Sequence, residues 1–162
     1  MTTPGDLMHE VRSILFTAAS PADAEALATL RVEAMRESLE RIGRFDPVRA
    51  RERFLTGFSP EHTWHVVMDG ERVGFYVVRP HEQGLTLDHL YVRPSHQRNG
   101  IGAAVLARVF AQADALGCQV RVGALRESES NRFYARHGFV LVEQDAFDNY
   151  HVRPRKQGSN HD

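Results

Sequence analysis

Apolar residues recur along this chain with two different spacings, and each spacing predicts a different kind of element. After Ser20-Pro21 and again after Asp46-Pro47 the spacing is helical, and both pairs combine a capping side chain with a proline suited to the first helical turn. After Thr63 apolar and polar residues alternate, as they do in strands that bury one face. The Asp69-Gly70 pair is typical of a two-residue hairpin turn, so the strands on either side of it should be antiparallel.

The predicted elements follow one another in an order typical of an α/β fold. The predicted strands cover 11–16, 63–68, 73–79, 85–92, 119–125, 139–143 and 149–153, and the predicted helices cover 20–42, 46–58, 101–116 and 130–137. The second helix offers an inner face of Val48, Phe54, Leu55 and Phe58, and the third carries an apolar stripe of Ile101, Val105, Val109 and Leu116. The strands before and after the third helix should be parallel. We assign residues 10–154 to one domain and residues 1–9 and 155–162 to flexible tails.

The composition narrows the classes of partner. With 42% hydrophobic residues, 25% charged residues and a net charge of −1, the chain has the make-up of an ordinary globular protein and lacks the basic excess that nucleic-acid binding requires. The chain has no apolar run of ~18 residues and its N-terminus is too polar for a signal peptide, so we expect no membrane partner and a cytoplasmic location. The single cysteine, Cys118, is interpreted as buried filler.

The most informative segment lies between the fourth predicted strand and the third predicted helix. It reads His-Gln-Arg-Asn-Gly-Ile-Gly-Ala over residues 96–103. A helix N-terminus offers unpaired N–H groups and partial positive charge, and Gly100 and Gly102 let a phosphate group approach the backbone closely. Gln97 and Arg98 can add side-chain donors. The spacing differs from both the dinucleotide-binding and the P-loop fingerprints, although a loop that merely turns into a buried helix would also explain the glycines.

This segment, with Leu-Tyr-Val-Arg-Pro before it at 90–94, resembles the acetyl-coenzyme A signature of the GCN5-related N-acetyltransferases (GNAT). A second motif, Asn-Arg-Phe-Tyr-Ala-Arg-His-Gly-Phe at 131–139, is also similar to that family. The resemblance implies a single-domain α/β fold, in which a central mixed, mostly antiparallel sheet has a splayed parallel strand pair and is flanked by helices. It also implies an acetyl-CoA-dependent N-acetyltransferase that transfers the acetyl group to a primary amine by direct attack in a ternary complex, without a metal.

The resemblance assigns cofactor contacts to the strand, the glycine segment and the second motif. The implied cofactor-binding residues are Leu90, Tyr91, Val92, Gln97, Arg98, Asn99, Gly100, Ile101, Gly102, Ala103, Asn131 and Tyr134. A phenol keeps its proton at neutral pH, so Tyr134 is the candidate proton donor to the departing thiolate, and a backbone N–H near Leu90 is the candidate donor to the developing oxyanion. Tyr134 as a packing residue is the alternative.

The amine must lose a proton before it attacks, and the fourth strand offers two candidate bases. Strict alternation places Thr86, Asp88 and Leu90 on one face, and we prefer Asp88 as the base, with a half-buried structural carboxylate as the alternative. His89 is second choice, because it points to the other face unless a bulge, which the resemblance implies in this strand, shifts the register. Ordered water is the third option.

Acceptor recognition is expected from the first two helices and from the loop before the last strand. The candidate lining residues are Met35, Arg36, Glu37, Phe45, Asp88 and Tyr150. A small-molecule amine is the favoured acceptor. The alternatives are a peptide or protein acceptor, or a sensor that binds acyl-CoA without catalysis.

His62 and His65 lack a metal-ligand pattern, so no metal site is expected. Oligomeric state stays open, although members of the family are often dimers and the last strand offers an edge for a homodimer.

Overall fold

The computed structural model describes residues 13–157, which contain seven strands and four α-helices. The strands are β1 (Ile14–Ala18), β2 (Thr63–Met68), β3 (Glu71–His81), β4 (Gly84–Val92), β5 (Gln119–Leu125), β6 (Val140–Gln144) and β7 (Asp148–Arg153). The helices are α1 (Ala24–Arg41), α2 (Pro47–Gly57), α3 (Ile101–Leu116) and α4 (Ser130–Arg136). The predicted element order is confirmed, and most predicted ends lie within one or two residues of the observed ones. Residues 1–12 and 158–162, which include the start of the first predicted strand and most of the predicted tails, lie outside the described part.

The strands form one sheet in the order β1-β2-β3-β4-β5-β7-β6. The prediction that the last strand offers an edge is wrong, because β7 pairs with β5 on one side and with β6 on the other, and β6 forms the edge. All neighbours are antiparallel except β4 and β5, which are parallel. The parallel ladder is short, because it joins only residues 84–87 of β4 to residues 119–122 of β5. Beyond it β5 continues to pair with β7 as far as Leu125, whereas β4 continues to pair with β3. The two parallel strands therefore splay apart, and the predicted mixed sheet with a splayed pair is confirmed.

A β-bulge interrupts β4 at Asp88. Val77 of β3 lies opposite His89, but the next residue, Val78, lies opposite Leu87, so one residue of β4 is unmatched. An extra residue reverses the alternation of side chains, and Leu90 consequently packs with Leu87 in the core beneath α3. The prediction that Leu90 shares a face with Asp88 is therefore wrong, because the bulge shifts the register between them.

Two layers of helix cover the two faces of the sheet. Against one face, α1 and α2 bury a cluster of Leu27, Ala28, Leu30, Phe54, Phe75 and Val77. Against the other, α3 and α4 bury a larger cluster that includes Ile101, Val105, Leu106, Val109, Tyr134 and Phe139. The prediction that Leu116 and Val48 face inward is wrong: they are 64% and 63% exposed, and each lies at an end of its helix. Cys118 is half-buried against the larger cluster.

Prolines and caps at the starts of α1 and α2 act as the sequence predicts. Ser20 and Asp23 form a capping box around a short 3-10 turn, with the Ser20 N–H and hydroxyl both donating to the Asp23 carboxylate. The Asp46 carboxylate accepts from the Arg49 N–H at 3.0 Å and caps α2. These contacts satisfy N–H groups that have no partner within the helix, and so they set where each helix begins.

The close approach of β3 to β4 requires a glycine at position 74. A Cβ atom there would lie 2.4 Å from the Tyr91 carbonyl oxygen, which belongs to the backbone and cannot rotate away. We predict that Gly74→Ala lowers the free energy of unfolding by about 1–3 kcal/mol, the usual cost of overpacking, in chemical denaturation. Gly57→Ala is the matched control, since its Cβ would meet nothing within 4 Å. Equal stability of the two variants would contradict this account of the strand spacing.

Candidate functional site

The edge of β4 that faces β5 is open over its last five residues, 88–92. The Arg93 N–H donates to the Val73 carbonyl at 2.8 Å, on the β3 side. Backbone groups of successive strand residues point alternately to the two neighbours, so the N–H and C=O groups of Leu90 and Val92 point away from β3 and into the gap. The Val92 carbonyl accepts from Gln97 Nε2 at 3.0 Å. The gap is thus lined by backbone hydrogen-bonding groups that β5 does not use.

The glycine segment lies at the wide end of this gap, where it begins α3. Gly100 is the N-cap of α3 in the left-handed conformation (φ 78°), and it supplies no side chain that could cap the N–H groups of the first turn. Arg98 also has positive φ (69°), and its exposed guanidinium lies 3.9 Å from the Glu129 carboxylate. The α3 N-terminus therefore presents free backbone donors and partial positive charge beside the gap.

Gly102 has a packing role that the sequence did not reveal. A Cβ atom at this position would lie 2.9 Å from the ring of Phe133, which packs on the first turn of α3. The ring of Phe133 also contacts Tyr134, with centroids 5.3 Å apart. A small residue at 102 is therefore needed to hold α4 against α3, whether or not a ligand approaches the same backbone.

Tyr134 lies in α4 and is buried among three rings, those of Phe133, Phe139 and His151. Burial raises the pKa of its hydroxyl well above the usual value, and the neighbouring Tyr91 on β4 adds to the rise. Within residues 13–157 the hydroxyl has no hydrogen-bond partner, and it is not among the polar atoms sealed from solvent. Tyr134 therefore keeps its proton at neutral pH and has it free to donate.

The side chain of Asn131 is fully used within the protein. Its amide nitrogen donates toward the carbonyl groups of Leu125, Arg126 and Ser128, at 2.8–3.2 Å. Its oxygen accepts from Asn149 Nδ2 at 2.9 Å and from His151 Nε2 at 3.0 Å. Asn131 thus fastens α4 to the end of β5 and to β7. The predicted contact of Asn131 with the cofactor stays a prediction.

His151 and Asn149 are buried polar residues that sequence analysis missed. Because the Asn131 oxygen can only accept, the Nε2 of His151 must carry the proton, and its buried Nδ1 has no partner in the described part of the chain. Burial lowers the pKa of the His151 imidazole, so it is neutral. The available signal was alternation: Asn149 and His151 occupy the same face of the last strand, at positions where a core strand would place apolar side chains.

The bulge residue Asp88 is exposed and paired. Its carboxylate accepts from Arg79 Nε at 2.5 Å, and the same guanidinium donates to the Gly57 carbonyl at the end of α2, at 2.7 Å. Asp88 therefore lies on the α2 side of β4, at the vertex of the gap, with a cation already beside it. Arg79 was not among the site residues predicted from the sequence.

His89 occupies a half-buried aromatic box on the same side of the sheet as α1 and α2. The rings of Phe54, Phe75 and Tyr91 lie 5.5, 6.5 and 5.6 Å from its own. Arg31 of α1 donates to the Tyr91 hydroxyl at 3.3 Å. Burial, and then the charges of Arg31 and Arg79, lower the pKa of His89 to about 3, so the imidazole is neutral at physiological pH.

The candidate acceptor residues fall into two groups on either side of the gap. Arg36 stacks on Phe45 at 5.1 Å and pairs with Glu40, whereas Glu37 pairs with Arg41.

Tyr150 lies over Gly123 of β5 and donates to Asp145 at 3.0 Å, which raises the pKa of its hydroxyl. Arg44 stacks on Phe147 at 3.8 Å and links the two groups. Met35 is half-buried, and of these residues only Arg36 lines the 580 Å³ groove between α1 and α2.

The part of the chain that the structure describes offers neither a cluster of metal ligands nor a helix suited to cross a membrane. Among residues 13–157, no three His, Cys, Asp or Glu side chains are grouped so that they could hold a metal ion. None of the helices found there combines the length and the apolar character that a bilayer crossing requires.

Residues 59–141, just over half of the chain, match the Acetyltransferase (GNAT) domain family. No protein of curated function matches the chain. Among solved structures, the PaiA N-acetyltransferase of Thermoplasma acidophilum in complex with coenzyme A is similar with a TM-score of 0.74, 18% identity and 88% and 99% of the two chains covered. The ribosomal-protein-S18-alanine N-acetyltransferase of Escherichia coli is similar with a TM-score of 0.69, 15% identity and 92% and 99% covered. The fold and the family match together establish that this chain belongs to the GNAT acetyltransferases.

Proposed function

We propose that this protein transfers the acetyl group of acetyl-CoA to a primary amine of a small molecule, by direct attack in a ternary complex. The observation that carries the proposal is the open edge of β4 beside the uncapped N-terminus of α3. The edge offers backbone donors and acceptors of the kind that amide groups need, and the helix offers donors for phosphate. Acetyl-CoA carries both groups in one molecule.

The pyrophosphate of acetyl-CoA is placed at the first turn of α3, on the backbone of residues 98–103, with Arg98 and Gln97 at the rim. The two amides of the pantetheine arm then lie along β4, where Tyr91 and Val92 flank the arm. This arrangement points the thioester to the vertex of the gap, near the bulge. The coenzyme A bound to the similar PaiA N-acetyltransferase supports a coenzyme A ligand for this fold.

The reaction requires a neutral amine, a donor to the carbonyl oxygen and a proton for the leaving thiolate. The amine nitrogen bonds to the acetyl carbon while the carbon–sulfur bond breaks. The Leu90 N–H, which the alternation of β4 directs into the gap, is assigned to the developing oxyanion. Tyr134 is assigned to the sulfur, because its raised pKa keeps the phenol protonated until the thiolate forms. Asp88 is assigned to the amine proton, directly or through water.

A peptide or protein acceptor is the alternative for the substrate class, and the similarity to the ribosomal-protein acetyltransferase is the reason to test it. A sensor that binds acyl-CoA without transfer is the alternative for activity. We would measure free thiol from acetyl-CoA with a library of small amines and a set of N-terminal peptides. Turnover with peptides alone would reassign the acceptor, and coenzyme A binding with no turnover at all would favour a sensor.

A cytoplasmic location and a homodimer belong to the same proposal. The single cysteine fits a reducing compartment. The edge strand β6 exposes Val140, Leu141 and Val142, which suits pairing with a second copy.

A charge at the third position of α3 tests where the pyrophosphate binds. We predict that Ala103→Glu weakens coenzyme A binding at least tenfold in calorimetric titration at low salt, because the carboxylate repels the phosphates. The same charge complements the helix dipole, so thermal stability should be unchanged or higher. Ala111→Glu, at an exposed position in mid-helix, is the control and should bind normally. Normal binding by Ala103→Glu would place the phosphates elsewhere.

Asp88→Asn tests the assigned base. The variant keeps the size of the side chain and removes its charge, so we predict that kcat falls by about 10²-fold or more while coenzyme A affinity stays within a few-fold. Glu82→Gln, in the exposed turn between β3 and β4 at the far end of the sheet, is the matched control. An unchanged kcat in Asp88→Asn would leave water as the proton acceptor and Asp88 as the structural partner of Arg79.

Tyr134→Phe removes the hydroxyl and leaves the ring packing intact, so a cavity is not created. General-acid help is worth ~10²–10⁴-fold, and we predict a fall in kcat of at least tenfold with coenzyme A affinity within a few-fold. Tyr76→Phe, which removes a buried hydroxyl that contacts Arg108 at 2.8 Å, is the control for loss of a phenol elsewhere. If steady-state kinetics give Tyr134→Phe a near-normal kcat, the thiolate leaves without its help.

A further inference from the structure

His89 is the first residue after the bulge and lies at the vertex of the gap. The ladder between β4 and β5 ends at Leu87, and the unmatched Asp88 turns the following side chain toward α1 and α2. That face is also the side from which an acceptor can approach a ligand lying in the plane of the sheet. His89 is therefore close to the proposed point of acetyl transfer, but on the acceptor side of it.

A chain of contacts decides which nitrogen of His89 carries its proton. Arg31 is anchored on the Ala50 carbonyl of α2 and donates through Nε to the Tyr91 hydroxyl. The hydroxyl oxygen already accepts from Arg31, and we infer that its own proton is donated to His89 Nδ1, which lies 3.4 Å away. Because Nδ1 accepts, the neutral ring must carry its proton on Nε2.

The Nε2–H group remains available to a ligand. Within residues 13–157 it has no hydrogen-bond partner, and the buried side-chain atoms that lack a partner are Ser128 Oγ and His151 Nδ1 only. Nε2 is therefore not fully sealed from solvent. The rings of Phe54, Phe75 and Tyr91 surround the imidazole, and Nδ1 contacts the Tyr91 hydroxyl, so Nε2–H is the polar group of His89 that can still bind a ligand.

His89 is poorly suited to be the base. The charged groups around it are Arg31 on α1, Arg79 on β3 and Asp88 beside it on β4, and the guanidinium of Arg79 is bonded to Asp88. Burial and the two guanidinium groups lower the pKa of the imidazole to about 3. In the Nε2–H tautomer the one basic nitrogen of the ring is Nδ1, which is taken up by the contact with the Tyr91 hydroxyl, so no lone pair is left to accept the proton of the amine.

We propose that His89 acts as a neutral hydrogen-bond donor, through Nε2–H, to an oxygen atom that the acceptor carries close to its amino group. The proposal rests on the proposed function, and it makes the acceptor an amine with a neighbouring hydroxyl, carbonyl or carboxylate oxygen. The guanidinium of Arg79 is balanced by Asp88, and the positive charge of Arg31 favours an oxygen with partial negative charge beside the ring. In this proposal the developing oxyanion of the acetyl group accepts a hydrogen bond from the backbone N–H of Leu90 and none from His89.

The state of the ring can be measured on the protein without any substrate. Long-range ¹⁵N–¹H correlation spectra of ¹⁵N-labelled protein should show His89 as the Nε2–H tautomer, with no titration between pH 5 and pH 9. Tyr91→Phe, which removes the contact to Nδ1, should weaken that preference. A His89 ring that protonates within this range, or that carries its proton on Nδ1, would overturn the proposal.

The kinetics of His89 variants distinguish a hydrogen-bond donor from a general base. Gln can place an amide N–H near the position of Nε2, so His89→Gln should retain activity to within about tenfold, whereas His89→Leu should lose at least tenfold in kcat/KM. His81→Gln, in the exposed turn at the far end of β3, is the control. Equal losses in His89→Gln and His89→Leu, with normal coenzyme A affinity and folding, would indicate a base and would contradict a donor role.

Acceptor preference gives a further test. We would compare propylamine with ethanolamine and glycinamide, which are similar in size and differ in the oxygen, and express kcat/KM per concentration of free base because the oxygen also lowers the pKa of the amine. The oxygen-bearing amines should react with higher kcat/KM in the wild type, and His89→Leu should abolish the difference. A preference of the wild type for propylamine, or a preference for the oxygen-bearing amines that survives in His89→Leu, would overturn the proposal. If coenzyme A binds and neither these amines nor the library of small amines reacts, the proposed function is contradicted, and the NMR experiment alone decides the state of His89.

Discussion

The short parallel ladder between β4 and β5 is the constraint on which the site depends. The ladder ends at Leu87 of β4 and Val122 of β5. Beyond it β4 continues to pair with β3, and β5 continues to pair with β7. Asn131 ties the end of β5 to β7 and to α4 through five hydrogen bonds, and the ring of Tyr150 lies over Gly123. These contacts keep β5 away from β4, so the backbone groups of Leu90 and the Val92 N–H are not used by β5 and stay available to a ligand.

The bulge at Asp88 divides the remaining length of β4 between the two faces of the sheet. Leu90 and Val92 return to the core beneath α3, whereas His89 and Tyr91 face α1 and α2. Side chains that can meet an acceptor are thereby placed on one face, and backbone groups that can bind a thioester lie in the plane of the sheet. One inserted residue separates acceptor recognition from cofactor binding.

Sequence analysis predicted most of the fold, because periodicity, capping residues and glycine turns act locally. It predicted the helix start at Gly100 for the same reason, whereas Tyr134 was singled out by the resemblance of residues 131–139 to the GNAT motif. It missed Arg31, Arg79 and His151, since each becomes important only through a partner 9 to 60 residues away. Strict alternation also failed at Leu90, because a bulge depends on how β3 pairs with β4, and nothing in the local pattern marks it.

Hydrogen exchange at single residues of β4 tests the central claim, that coenzyme A binds along the open edge of this strand. The Leu90 and Val92 amides point into the gap and should exchange markedly more slowly when coenzyme A is added. The Arg93 amide already donates to Val73 and should be unaffected, and alternation makes the same prediction for Tyr91. Binding of coenzyme A that leaves Leu90 and Val92 unchanged, or that protects Tyr91 and Arg93 equally, would contradict the account.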